Sequence, residues 1–421
     1  MADFFKQLKA WIDTEYRQGH WRTFSDSFPA MLERLIARNQ VSVVIPIYNG
    51  LASLTRLLDS IVKAKQAAQI VLVDDCSPDP EIQKYCARFA ESRTDTIVLR
   101  NRQNLGFTAS VNLGMRAANE HNDVILLNSD TLVSPGWLSK LAVSAYAFEN
   151  VATTSPISNA EGVFSVPRGY YDNEIENGWT PDMYDRLLGM ISYRPHERVP
   201  TTSGFCYYIR RSAIEKIGYF DNYLFNRGYG EDNDYSERAN HAGLINIVNT
   251  SCFIFHERGA AFGEHKKHLK RINSQVLKAL YPKHVPDTKK WLEETYLNEL
   301  WKIFPKALAS FGAAANPEEH PAFSGCRTLL HIKRDAQDTK AEWSNDLRSI
   351  VVVVDGKERV LLDLFGLTRI ELKLSPAELE SLIIQLGLRW QVDDIKCESA
   401  ILTNELLDRL RSCRQQLSKE R

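Results

Sequence analysis

The sequence predicts an α/β fold: a mostly parallel, Rossmann-like sheet with flanking helices, followed by a smaller C-terminal α/β domain. Three observations carry that expectation. Between residues 41 and 127 short apolar runs alternate with stretches of helical period, the pattern of strands and crossover helices. Polar residues follow each apolar run directly, at Tyr48 and Asn49, Asp74 and Asp75, Asn101 to Asn104, and Asn128 to Asp130. Beyond residue 350, two apolar runs flank Asp355-Gly356, the signal of a hairpin in a second module.

The elements follow in order. Residues 1–40 read as a helical segment, with Phe4, Leu8, Trp11, Ile12 and Tyr16 on one face and Lys6, Lys9 and Asp13 off it. Such a face packs onto its own domain or lies peripherally on a membrane. Val41 to Ile47 is a strand, and Leu51 to Lys65 a helix with Leu54, Leu57, Leu58, Ile61 and Val62 turned inward. A strand at Ile70 to Val73, a helix over 80–91, a strand at Thr96 to Leu99, a helix over 108–119 and a strand at Val124 to Leu127 complete the alternation. Ser134 reads as the cap of the next helix, with Pro135 at its first position. Over 150–200 the regularity gives way to Gly, Pro, Asn and Tyr, which predicts functional loops.

A strand is expected at Gly204 to Ile209, then a helix from the Gly228-Tyr229-Gly230-Glu231-Asp232 turn to Ala242. Strands at Ile245 to Asn249 and at Cys252 to Phe255 follow, the second ending at His256. Helices over 286–310 lead to a linker at Gly312 to Pro317. In the last module Val351 to Val354 and Val360 to Leu364 form the hairpin, and Ser375-Pro376-Ala377-Glu378 opens a helix that Gly387 closes. The expected domains are 1–40, a catalytic domain over 41–275, a helical extension and linker over 276–320, and an accessory domain over 321–421.

The chain of 421 residues is long enough for more than one core. Its 52 Lys and Arg nearly balance 53 Asp and Glu, which excludes a general nucleic-acid binder held by a basic surface. The seven cysteines contain no C-x-x-C pair and read as reduced thiols. No signal-peptide pattern and no run of the ~20 apolar residues that cross a bilayer is present. The expected location is the cytoplasm, or the inner face of the cytoplasmic membrane if the N-terminal helix binds there.

In an open parallel sheet the carboxyl ends of the strands share one crevice where ligands bind. Five motifs fall there in order: Val43-Val44-Ile45-Pro46-Ile47-Tyr48-Asn49, Val73-Asp74-Asp75-Cys76-Ser77, Asn104-Leu105-Gly106-Phe107, Leu127-Asn128-Ser129-Asp130 and Gly230-Glu231-Asp232. Together they resemble the family 2 glycosyltransferases of the glycosyltransferase A fold, over residues 41–265. The resemblance implies that Pro46, Tyr48, Asn49, Asp75, Arg102, Asn104, Gly106, Asn112, Asn128 and Ser129 line the donor nucleotide site. In it Asp75 accepts from the nucleobase and Tyr48 lines the base pocket. Read alone, Asp74 and Asp75 equally suit caps of the following helix. Gly106 lets the chain approach a diphosphate or ribose at a helix N-terminus.

By the same resemblance Asp130 and His256 are ligands of Mn²⁺ or Mg²⁺, the remaining ligands being phosphate oxygens and water. The family commonly carries Asp-x-Asp, and here Asn128 takes the first place, as in some rhamnosyltransferases that use deoxythymidine diphosphate rhamnose. Asp232 becomes the general base that deprotonates an acceptor hydroxyl, with Glu231 orienting it or the acceptor. Asp234 is assigned to structure, paired with Arg238 one turn on. Ser203, Gly204, Phe205 and Trp137 line the sugar and acceptor pocket, or Trp137 fills the core. Gly259 and Gly263, with Lys266, Lys267, Lys270 and Arg271, resemble a lid over the diphosphate. From Arg327 on, the C-terminal module weakly resembles half of a B-fold glycosyltransferase, a remnant suited to homodimerisation or docking.

The resulting expectation is an inverting, metal-dependent glycosyltransferase. Its donor is dTDP-rhamnose or a UDP-sugar, and its acceptor a glycan or lipid-linked saccharide of a bacterial surface polysaccharide such as O-antigen. The alternatives are an inactive scaffold that still binds nucleotide sugar and, less well matched, a sugar nucleotidylyltransferase, whose Gly-rich basic loop after the first strand is replaced by Pro46-Ile47-Tyr48-Asn49.

Overall fold

The computed structural model describes residues 41–257 apart from 67, 193–195 and 226, then 264–312, 327–333, 347–355, 359–364, 368–373, 379 and 394–397. The readings of 1–40, of the lid glycines, of the 312–317 linker beyond its first residue and of the helix opened by Ser375 lie outside the described residues. These fall into two compact units, 41–174 with 196–298, and 175–192 with the residues from 299 on.

In the larger unit β1 (Val41–Ile47), α1 (Leu51–Ala64), β2 (Gln69–Asp74), α2 (Pro80–Glu91), β3 (Thr96–Arg100), α3 (Phe107–Ala117) and β4 (Asp123–Leu127) alternate as expected. The short β5 (Thr131–Leu132), α4 (Trp137–Ala145) and β6 (Val151–Ile157) follow. Next in the chain, α5 (Pro181–Ile191) belongs to the smaller unit. Then come β7 (His196–Val199), β8 (Cys206–Ile209), α6 (Arg211–Ile217), α7 (Glu231–His241), β9 (Ile245–Phe253), β10 (Phe255–His256), α8 (Glu264–Leu280), α9 (His284–Glu294) and α10 (Leu297–Gly312).

One eight-stranded sheet runs β3-β2-β1-β4-β8-β6-β9-β7. β3, β2, β1 and β4 are parallel, and β8 enters antiparallel beside β4. β1 is buried along almost its whole length, as a central parallel strand must be. Pro46, which has no N–H to give a ladder, stands beyond Val44, where pairing with β4 has ended. Asn49 and Gly50 then take positive φ, 61° and 76°, and turn the chain into α1.

Four expectations change. Val62 is 51% exposed, on the outer face of α1 rather than in the core. The helix near 135 begins at Trp137 behind left-handed Gly136, because Ser134 to Trp137 closes a separate turn first. The irregular 150–200 stretch holds β6, α5 and β7; β6 lies fully buried in the sheet interior and so lacks the polar alternation that betrays a strand. The two expected strands before His256 are one long strand, β9, plus the short β10.

In the smaller unit β11 (Arg327–Lys333), β12 (Leu347–Asp355), β13 (Arg359–Leu364), β14 (Thr368–Lys373) and β15 (Asp394–Cys397) form a sheet of order β14-β13-β12-β11-β15. The hairpin is present, β12 and β13 pairing antiparallel to Asp355 opposite Arg359. β11 is parallel to both β12 and β15. Tyr184 of α5 packs on Phe304 of α10, ring centroids 5.3 Å apart.

Helix α3 can sit close on the sheet because Gly114 faces it. A Cβ there would stand 2.3 Å from Val44 Cγ1 and 3.0 Å from Val73 Cγ2. Gly114→Val should therefore lower the unfolding free energy by about 1–3 kcal/mol, the usual cost of overpacking a filled core. Urea unfolding measures this, and pairing the change with Val44→Ala should recover part of the loss.

Candidate active site

The site lies at the carboxyl edge of the parallel strands. After β2 the chain delivers two buried acids with separate duties. Asp74 accepts the Ser77 N–H at 2.8 Å and pairs with Arg100 at 3.1 Å. Asp75 accepts from Asn101 Nδ2 at 2.7 Å and from the Leu105 and Gly106 N–H groups, each at 2.8 Å. Asp75 thus holds the loop that opens α3, and about one of its four lone-pair sites is left for a ligand. Neither acid caps the helix that follows, since Asp79 does so through the Glu81 N–H. Gly106, at φ 90°, begins α3, and Tyr48, Arg102 and Asn104 stand exposed around the same edge. Asn49 donates its N–H to Ser77 Oγ.

Beyond β4 the chain makes a tight turn, in which Thr131 Oγ1 bonds the Asn128 carbonyl, and continues into β5. β5 pairs antiparallel with β10, His256 opposite Thr131. That pairing brings Asp130 and His256, distant in sequence, into contact: Nε2 lies 3.1 Å from Asp130 Oδ1. The other ring nitrogen, Nδ1, lies 2.5 Å from Glu161 Oε1. Phe205 stacks on the imidazole at 5.4 Å and 14°. The backbone of His256 is clamped by Asn159, whose Oδ1 accepts the His256 N–H and whose Nδ2 donates to the His256 carbonyl. Burial lowers the imidazole pKa, but the hydrogen bonds to Asp130 and Glu161 outweigh it and raise it to about 9.

Glu161 and Asn159 were not picked out as site residues from the sequence. Both sit in the stretch read as a loop, and an acid in a Gly- and Asn-rich segment carries no periodic signal. Its partners emerge only when that segment folds around Asn173, whose Nδ2 donates to the carbonyls of Asn159, Arg168 and Tyr171.

The second pole is the start of α7. Gly230, at φ 133°, lets the chain enter the helix, whose first turn carries Glu231, Asp232 and Asp234. Asp232 accepts from the Asn233 N–H at 2.8 Å, from Asn233 Nδ2 at 3.0 Å and from the Gly204 N–H at 3.1 Å. Burial raises its pKa, and these donors oppose the rise. Glu231 is more deeply buried; burial and the Asp232 charge raise its pKa to about 8. At neutral pH Glu231 therefore carries a proton. Asp234 accepts from Arg238 Nε at 2.9 Å, the structural pairing expected, and also from Tyr281 Oη.

Three consecutive residues join the poles. Ser203 Oγ donates to Glu161 Oε2 at 2.6 Å, Gly204 donates to Asp232, and Phe205 stacks on His256 while its carbonyl accepts the Asn128 N–H. Two expected site residues stand elsewhere. Asn112 is buried with its amide spent on the Phe220 backbone, donating to the carbonyl and accepting the N–H, so it braces α3 rather than a donor. Trp137 is 1% exposed and fills core, which decides between its two readings.

Among the described residues no group of three or more His, Cys, Asp or Glu is arranged to hold a metal. A cation held by two protein ligands is compatible with the geometry. Cis ligands about 2.1 Å from an octahedral ion stand about 3 Å apart, and Asp130 Oδ1 and His256 Nε2 are 3.1 Å apart. With Glu161 on Nδ1, Nε2 is the ring atom that would be offered to such a cation.

The model of the glycosyl transferase family 2 matches residues 42–218. The chain is 26% identical over 242 residues to the N-acetylglucosaminyl-diphospho-decaprenol L-rhamnosyltransferase of Mycobacterium tuberculosis, covering 52% of this chain and 77% of that one. It is 35% identical over 98 residues to the minor teichoic acid biosynthesis protein GgaB of Bacillus subtilis, 23% of this chain and 11% of that protein. Among solved structures, the mannosyltransferase PcManGT of Pyrobaculum calidifontis, in complex with GDP-Man and Mn²⁺, is similar at 17% identity and a TM-score of 0.43, over 73% of this chain and 87% of that one.

The raised pKa of Glu231 has a consequence for stability. The folded state holds a proton on this carboxyl that the unfolded chain loses near pH 4.5, so its presence lowers stability as pH rises from there toward 8. Glu231→Gln lacks that slope. Its melting temperature should exceed the wild type's by a few degrees at pH 8, with the gain vanishing near pH 5, in thermal melts across that range.

Proposed function

Residues 42–218 form a glycosyltransferase family 2 domain, and from that premise we propose that this glycosyltransferase is inverting and metal-dependent, moving a sugar from a nucleotide diphosphate to a saccharide acceptor. The observation that carries the reading is the chain of contacts from Asp130 through His256, Glu161, Ser203 and Gly204 to Asp232. It supports a site with two poles, one for a leaving diphosphate and one for an attacking hydroxyl. Asp130 and His256 would hold Mn²⁺ or Mg²⁺, which supplies charge stabilisation to the departing phosphate.

Asp232 takes the acceptor proton. Its carboxylate stands beside a protonated Glu231 and is aimed by the Gly204 and Asn233 amides. Glu231, carrying its proton, serves as a hydrogen-bond donor that orients Asp232 or the acceptor. Tyr48 and the remaining acceptor capacity of Asp75 face the nucleobase, while Asn128 and Ser129 offer neutral contacts to ribose or phosphate. Pro46 and Asn49 shape the base pocket, with Arg102, Asn104 and Gly106 toward the diphosphate.

The Mycobacterium relative is named for rhamnosyl transfer to a diphospholipid-linked sugar and the Bacillus one for teichoic acid biosynthesis. They support a lipid-linked or glycan acceptor in bacterial surface polysaccharide synthesis, and the donor proposed with it is dTDP-rhamnose or a UDP-sugar. Among the described residues no helix is long and apolar enough to cross a membrane. The C-terminal unit is assigned to docking, either of a second copy or of another protein of the pathway.

With a dTDP- or UDP-sugar and a lipid-linked acceptor, Asp232→Asn should reduce kcat at least 10³-fold while thermal-shift titration still detects the nucleotide. Full transfer by that variant would remove Asp232 as the base. Nucleotide binding with no transfer by the wild type would instead favour a scaffold. Chelation should abolish transfer, and added Mn²⁺ or Mg²⁺ restore it. Because Asp130 is the only carboxylate of the 128–130 triplet, Mn²⁺ and the nucleoside diphosphate should each bind more tightly in the presence of the other.

A further inference from the structure

We propose that Glu161 is the positioning residue of the site, orienting the His256 imidazole through one carboxylate oxygen and the Ser203-Gly204-Phe205 segment through the other. This rests on the reading of Asp130 and His256 as cation ligands. The Glu161 side chain is 10% exposed, and its two oxygens engage partners on opposite sides of the site.

A buried imidazole that ligates a cation needs its other ring nitrogen tied to an acceptor, which fixes both tautomer and ring plane. Glu161 Oε1 is the acceptor nearest Nδ1. Phe205 covers the ring face and Asn159 clamps the His256 backbone, so rotation about the side chain is the freedom Glu161 removes. The second oxygen acts on the base. Ser203 is held by Glu161 through Oγ and by Ser155 through its backbone, Ser155 Oγ donating to the Ser203 carbonyl and accepting its N–H. The following residue, Gly204, gives its N–H to Asp232. A shift at Glu161 is therefore felt at both poles, although it lies in neither.

The test measures Mn²⁺ binding to the full-length chain by the electron paramagnetic resonance of free Mn²⁺, with dTDP or UDP present. It compares wild type, Asp130→Asn, Glu161→Ala, Glu161→Gln and Ser203→Ala. Loss of an orienting partner of a metal-bound histidine typically weakens the metal 10–100-fold. Glu161→Ala should show that loss, Glu161→Gln a smaller one because it keeps an acceptor oxygen, and Ser203→Ala the smallest. The melting temperatures of the Gln and Ser203 variants should stay near the wild type's, which a merely structural role would not allow. Wild-type affinity in Glu161→Ala together with a loss in Asp130→Asn overturns the positioning role and leaves the cation site standing. Equal binding by wild type and Asp130→Asn removes the cation site and the inference with it. If Glu161→Ala does not fold, less than a twofold change in Glu161→Gln overturns the proposal.

Discussion

The site depends on one buried imidazole between two carboxylates. His256 touches Asp130 with one nitrogen and Glu161 with the other. Any one of these groups, left buried and charged without the others, would cost several kcal/mol of desolvation. Together they satisfy one another, and they can do so only because β5 and β10 pair with His256 opposite Thr131. A shift of one residue in that pairing would turn the imidazole to the other face of the ribbon. The Asn159 amide, which binds both backbone groups of His256, guards against such a slip.

The rest of the domain is arranged to deliver partners to that imidazole. The parallel strands β3, β2, β1 and β4 end at a common edge, where Asp75 fastens the loop before α3. β8 then enters antiparallel beside β4, so the segment just before it passes across the ends of the parallel strands. That is why Ser203, Gly204 and Phe205 reach three different site residues in succession. Close packing of α3 on Val44 and Val73 through Gly114 keeps the edge fixed relative to the sheet behind it.

Much of this was legible in the residues. The alternation from 41 to 127 gave strands and helices within two residues of those observed, because parallel strands and amphipathic helices leave distinct periods. Asp130 and Asp232 were singled out by motif and His256 by its place after an apolar strand, and one chain of contacts links the three. Glu161 was not, since a carboxylate in an irregular segment looks like any solvated acid until its neighbours are placed. Asn112 misled for the opposite reason: it sits one turn into a helix near the crevice, yet helical geometry turns its amide onto the Phe220 backbone. Trp137 could be core or pocket, and only burial decides.

Asn128 gains meaning from this count of charges. Asp130 and Glu161 flank His256, Glu161 also acts on Asp232, and Glu231 already keeps its proton because burial, and after it the Asp232 charge, raises its pKa. A further carboxylate two residues before Asp130 would add repulsion in a region of reduced dielectric, where it is weakly screened. It would also repel a diphosphate arriving before its cation. A neutral amide at 128 removes that repulsion and, at the proposed cation site, would leave affinity to one carboxylate and one imidazole. In the proposed mechanism the missing charge is then supplied by the donor's own phosphates, so the pole for the leaving group is completed only when there is a leaving group to stabilise.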